Sequence, residues 1–194
     1  MLDRRAAFRL LVGFLVSLAV FLLFATTYER AVAPTAEFFL RLGESPAVTR
    51  IDAPGGDFEI KRADIPPGAK HPGVPAADIH FNFVLLGALF ALHPRPWQGD
   101  RVLRLLAASL CLYLVHVVFL IFGIESLYAT RFGEWSAAHY GALARNFWAA
   151  GFHFYQIVGR FAAPFAIWWL FGRPDPAAPA EARRGPSRKK KRRT

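Results

Sequence analysis

The amino-acid sequence predicts an all-α membrane protein: a four-helix transmembrane bundle with a small extracytoplasmic helix and β-hairpin inserted between helices 1 and 2. Three observations lead there. The 194 residues are 54% hydrophobic and 15% aromatic with only 20% charge, too apolar for an ordinary soluble domain of that size. Four apolar stretches, residues 9–27, 77–93, 105–124 and 147–171, approach the roughly 20 residues a helix needs to cross the hydrocarbon. The cations cluster: Arg4, Arg5 and Arg9 precede the first stretch, Arg95, Arg101 and Arg104 lie between the second and third, and Arg173 with a basic tail follows the fourth. An even number of spans puts all three clusters, and both termini, on the cytoplasmic side.

The first helix begins "MLDRRAAFRLLVGFLVSLAVFLLFA", the charged and then apolar pattern of a signal peptide. The nearby A-x-A site, "AVA", stands directly before Pro34, which disfavours cleavage, so an uncleaved helix is expected. In the outer segment 28–76, "PTAEFFLRLG" spaces Phe38, Phe39 and Leu42 on one side of a short helix expected to lie on the membrane surface and to stop at Gly43. "AVTRIDAPGGDFEIKR" alternates around a Pro-Gly-Gly-Asp turn and predicts a β-hairpin. "DIPPGAKHPGVP" is rich in proline and reads as an extended linker back to the membrane. The second span is the weakest, with a short apolar core "FVLLGALFAL" and Asp78, His80 and Asn82 in its outer turns; a short or locally thinned crossing is expected. The third and fourth spans enclose an outer loop, 125–146. Trp97, Trp168 and Trp169 fall at the inner interface and Trp135 and Trp148 at the outer one. There is no internal repeat. Residues 1–173 form the membrane domain, and 174–194 a disordered cytoplasmic tail.

That tail explains the net charge of +10, since Arg183, Arg184, Arg188, Lys189, Lys190, Lys191, Arg192 and Arg193 all lie in it. A run of like charge without aromatics is an unspecific signal for nucleic acid. Lys189, Lys190, Lys191, Arg192 and Arg193 are expected on anionic lipid, at about 1 kcal/mol per charge. The lone Cys111 makes no internal disulfide and fits no zinc spacing. No metal, cofactor, nucleic acid or small-molecule substrate is expected.

The fourth span carries the unusual chemistry. In "RNFWAAGFHFYQIVGR", Asn146, His153 and Arg160 recur every seven residues, with Gln156 three beyond His153, so they fall on one helical stripe. Arg160 lies midway between Arg145 and Arg173, near the bilayer centre, roughly 20 Å from the inner end and too deep to snorkel. A charge there costs at least about 2.5–3.5 kcal/mol unless paired or wetted. The spans contain no acid deeper than Asp78, so a counter-charge from a partner is expected. Pro164 has no N–H for the Arg160 carbonyl and predicts a kink. Asn146 and Gln156 read more simply as glue between helices, bonded to Tyr113, His116 or backbone. Cys111 and His116, five apart on a helix, point about 140° apart and form no dyad within it; a cysteine in an apolar helix is ordinarily a small buried hydrophobe. In the outer loop "RFGEWSAAHY", Glu134, Trp135, Ser136, His139 and Tyr140 stand close together without an orienting arrangement, and Trp135 and His139 read as a docking surface.

Three strings, "YERAVAPTAEFFLRLGESPAVTRI", "IHFNFVLLGAL" and "WSAAHYGALARNFWAAGFHFYQIVGRFAAPFAIWW", resemble the exosortase H-associated membrane proteins, small bacterial inner-membrane proteins that accompany an exosortase. The resemblance covers most of residues 28–171 and not the tail. It implies a place beside a transpeptidase that recognises and cleaves the C-terminal sorting tails of exported proteins. Exosortases resemble multi-helix proteins with a catalytic Cys, Arg and His, the cysteine in a short polar, Gly-containing motif. "ASLCLYLVH" departs from that motif, and the chain is short for that fold. The leading expectation is therefore a non-enzymatic accessory that binds the exosortase or a sorting tail through Arg160, His153, Asn146, Gln156, His116, His139 and Trp135. The alternatives are a thiol transpeptidase or protease using Cys111 with His116 or His153 and Arg160, and a small transporter or proton relay.

Overall fold

A computed structural model describes residues 4–44, 47–64, 71–93 and 99–172. Arg95, Trp97, Arg173 and the basic tail, with its expected lipid contact, lie outside the described residues.

The chain is mostly helical, with one small sheet. Helices α1 (Arg4–Gly43) and α4 (Gly99–Arg131) are each long and apolar enough to cross a membrane. Between them lie strands β1 (Thr49–Asp52), β2 (Asp57–Arg62) and β3 (Gly73–Pro75), then helices α2 (Ala76–His80) and α3 (Asn82–Ala91). After α4 come α5 (Glu134–His139), α6 (Ala142–Phe154), one wide π turn (Tyr155–Gly159) and α7 (Arg160–Phe171).

The first correction concerns residues 34–43. They form no separate surface helix but the last turns of α1, about 60 Å long in all. Pro34 removes one backbone donor, the one its helix would offer to the Arg30 carbonyl. The neighbouring Ala31 carbonyl accepts from Thr35 Oγ1 at 3.0 Å and from the Tyr113 hydroxyl at 2.9 Å, which ties this turn to α4. Val32, Ala33, Ala36 and Leu40 are then buried against the sheet, and burial of that stripe carries the helix on past its proline.

The sheet runs β1–β2–β3, antiparallel throughout, pairing Ile51 with Ile60 and Phe58 with Val74. Thr49, Ile51, Phe58, Ile60 and Val74 are buried, the period-two pattern of a sheet with one face on a core. The β1–β2 turn uses Gly55 and Gly56 at φ 121° and 89°, values open to glycine. The outer edge of β1 is closed by carboxylates of α1 and the segment after it: Glu37 accepts from Ile51 N at 3.0 Å and Glu44 from Thr49 N at 2.9 Å. Second, Gly73–Pro75 is not linker but the third strand.

Residues 76–91 make a helical segment broken at Phe81, about 24 Å long and shorter than α1 or α4. It is fastened to α1 by small residues. A Cβ on Gly13 would overlap that of Ala91, and one on Gly87 would overlap the Ser17 hydroxyl, so the two backbones approach as closely as side chains allow. The third correction falls on 147–171. No break follows Pro164, which lies within α7; the irregularity is the π turn before Arg160.

Two cores result. One joins the sheet to α1, α2 and the later turns of α4, around Phe58, Ile60, Ile79, Leu120 and Tyr128. The other, around Leu86, Phe90, Leu112 and Ile167, joins α3, α4 and α7. We call the two ends of the molecule the sheet end and, for Arg4, Arg5, Arg9, Arg101 and Arg104, the arginine end.

Candidate functional site

Large apolar side chains stand exposed from Phe8 to Phe24 on α1, from Leu103 to Val118 on α4 and from Phe154 to Leu170 on α6, the π turn and α7. Each run is about 24 Å long, and together they form an apolar belt. Phe38, Phe39, Leu42, Leu143 and Phe147 are exposed beyond it. A layer of buried polar side chains separates the belt from the sheet.

Its centre is His116, fully buried on α4. The Asn82 carbonyl oxygen lies 2.7 Å from Nε2, and the Tyr28 hydroxyl 2.6 Å from Nδ1. Asn82 Nδ2 donates to the Tyr155 hydroxyl at 3.2 Å, which donates to the Ile79 carbonyl at 2.6 Å. One assignment satisfies every partner: Tyr28 donates to Nδ1, and Nε2–H donates to Asn82, so His116 is neutral and the donors run in one direction. The π turn makes this possible. It brings Tyr155 inward, fully buried and stacked 3.5 Å from the Phe119 ring.

Beside this chain, Glu29 and His80 are both nearly inaccessible, with Glu29 Oε1 3.0 Å from His80 Nε2. The other Glu29 oxygen accepts from Gly56 N at 3.2 Å, so one carboxylate ties α1, α2 and the β-turn together. His80 Nδ1 is buried without a hydrogen-bond partner among the described residues.

The layer opens at a cleft beside α2. Phe14, Asp78, Phe81, Asn82, Leu85 and Arg160 border a cleft of about 430 Å³. Arg160 Nη1 lies 3.7 Å from Asp78 Oδ1, with the side chains 41% and 39% exposed. That is an ion pair beyond hydrogen-bond length, and Arg160 otherwise rests 4.9 Å from the Phe161 ring. The sequence-based expectation that Arg160 lacks an internal counter-ion is therefore corrected. In the run from Phe154 to Leu170 it stands six residues inside the margin at Phe154, about 9 Å, close to the middle of the belt as the sequence predicts.

The expected stripe is not a buried seam. Asn146 and His153 are exposed and Gln156 half-buried, and the π turn shifts the register so that Arg160 no longer repeats their face. Cys111 packs half-buried against the Leu86, Phe90 and Leu112 cluster. Trp135 is no free docking side chain. Arg62 lies between the Tyr128 and Trp135 rings at 4.5 and 4.7 Å and pairs with Glu44 and Asp64 at 3.2 and 2.8 Å. Exposed His139 stacks on Trp135 at 4.2 Å. Ser136 donates to the Tyr128 carbonyl at 2.6 Å and accepts from Phe132 N at 3.0 Å, ordering the turn.

Glu29, Tyr28 and Tyr155 escaped the sequence reading. The signal for the first two was "TTYER", a tyrosine and a carboxylate directly after an apolar run; nothing in the sequence marks the π turn that buries the third. Compared with protein families, curated proteins and solved structures, the chain matches none.

Proposed function

We propose that the protein is a non-enzymatic inner-membrane accessory of an exosortase-type sorting system, a four-helix membrane bundle with both termini cytoplasmic, and that its lateral cleft receives a helix of the exosortase or the sorting tail of a substrate. The observation that carries the reading is the Asp78–Arg160 pair. It is open at the level of the apolar belt, and among the described residues Arg160 makes no hydrogen bond. An ionisable pair exposed to lipid is costly, and a carbonyl or carboxylate from another transmembrane segment relieves that cost. The identity of the partner rests on the resemblance of the three strings. Exposed Asn146 and His153 add polar groups to the accessible surface of α6. Cys111 among apolar neighbours, with His116 engaged at both ring nitrogens, supports an accessory over a thiol enzyme.

The test is co-purification in mild detergent from the native host, alongside processing of an exported protein bearing a sorting tail. The wild type is expected to retain the exosortase or the tailed substrate, and Arg160→Ala to lose about tenfold in recovery, roughly 1.4 kcal/mol. Cys111→Ala is expected to process normally. Recovery of neither partner with the wild type, or loss of processing in Cys111→Ala alone, overturns the proposal.

A further inference from the structure

The arginine end carries a second opening, unrelated to the Asp78–Arg160 cleft. Between α1 and α3, beside their contact at Gly13 and Gly87, runs a groove of about 280 Å³ walled by Phe8, Val12, Val16, Phe90 and Leu105, with Arg9 also lining it. The walls are apolar apart from Ser17 at the helix contact, and Arg9 is the charged residue that lines the groove.

The entrance is built for an anion. Arg9 donates from Nη1 to the Leu92 carbonyl at 3.3 Å, which leaves most of its five donors for another partner. Arg5, one turn earlier, shares its face. Leu105 lines the groove from α4, and Arg101 lies four residues before it, on the same face one turn nearer the end. The Nη1 atom of Arg101 is buried and has no hydrogen-bond partner among the described residues. Five arginines gather at this end, Arg4, Arg5, Arg9, Arg101 and Arg104, against Asp100 as the one carboxylate among the described residues there.

We propose that this groove binds an anionic phospholipid, one acyl chain lying between α1 and α3 and the phosphate held by Arg9, which lines it, and attracted by Arg101, one turn beyond the lining. The proposal rests on the membrane reading above and is independent of the exosortase. Length and polarity decide the occupant. A free phosphate has nothing to place along the apolar walls. A lipid matches both, since its charge sits at the membrane surface where the arginines stand and its chain runs inward along Val12 and Val16.

The experiment uses the full-length protein in nonionic detergent, titrated with phosphatidylglycerol, with phosphatidylcholine of the same chains, and with inorganic phosphate. Binding is read by native mass spectrometry, and folding by melting temperature without lipid. One phosphatidylglycerol per chain is expected, held at least about tenfold more tightly than phosphatidylcholine. Arg9→Gln and Arg101→Gln are each expected to weaken phosphatidylglycerol severalfold and leave phosphatidylcholine unchanged. Val16→Trp, at a partly exposed groove position, is expected to weaken both lipids at an unchanged melting temperature. Equal affinity for the two lipids, indifference to both arginine variants, or displacement of phosphatidylglycerol by inorganic phosphate overturns the proposal. A chain that partitions into membranes but binds neither lipid overturns the groove alone; one that fractionates free of membranes overturns the membrane reading with it.

Discussion

Glu29 does at one residue what a loop of several does elsewhere. Its two oxygens reach His80 on α2 and Gly56 in the β-turn, so its removal strands a buried imidazole and takes the acceptor from the amide that fixes the turn. Glu29→Ala is expected to cost about 3–5 kcal/mol, and Glu29→Gln distinctly less, because an amide oxygen still accepts from Gly56; chemical unfolding in detergent measures both. Glu125 has the opposite character. Burial holds its carboxyl above the usual range, while a 2.7 Å hydrogen bond from Tyr140 works against that. A carboxyl raised on folding contributes fully below its unfolded value, about 4.3, and its contribution declines as pH rises through the folded value. Glu125→Gln, which still accepts from Tyr140, is therefore expected to raise the melting temperature at pH 7–8 and to lose that advantage near pH 4. Asp52 and Asp64, held low chiefly by hydrogen bonds from Lys61 and Arg62, pull the other way. Their contribution is present above about pH 4 and is lost as pH falls.

At the scale of elements, the contact between α1 and α3 depends on what is absent from two positions. Gly13 and Gly87 leave room for Ala91 and Ser17: a Cβ at 13 would overlap the Ala91 Cβ, which moves only with its backbone, and one at 87 would displace the Ser17 hydroxyl and press on its Cβ. Gly87→Val is expected to lower stability by about 1–3 kcal/mol and to part the two helices. Gly43→Ala, at the end of α1 with open space around it, is expected to be neutral. Melting curves compare the pair, and cysteine cross-linking across α1 and α3 reports the separation. The π turn is another such element. Its extra residue per turn buries Tyr155 and turns Arg160 toward Asp78, and Gly159 is needed there because a Cβ would stand 2.6 Å from the Tyr155 ring.

For the whole molecule, what was legible in the sequence followed the physics of periodicity. Long apolar runs marked α1 and α4, and alternation around Pro-Gly-Gly marked the β1–β2 hairpin. The surface helix at 34–43 was misread because Pro34 looks like a boundary locally, whereas the burial of Val32, Ala36 and Leu40 that carries α1 through it is tertiary. Gly73–Pro75 has too few residues to show a strand period. At the candidate site, Arg160 stood out by its charge in an apolar setting. Its pairing with Asp78 did not, since a seven-residue spacing assumes a regular helix and the π turn breaks that assumption.

The unbroken course of α1 gives the molecule a mechanical property. A single helix about 60 Å long meets α3 at Gly13 and the sheet at Glu29, Val32 and Leu40. The apolar belt and the sheet therefore share one continuous hydrogen-bonded element, and no flexible joint lies between Gly13 and the Glu37 carboxylate that closes the edge of β1.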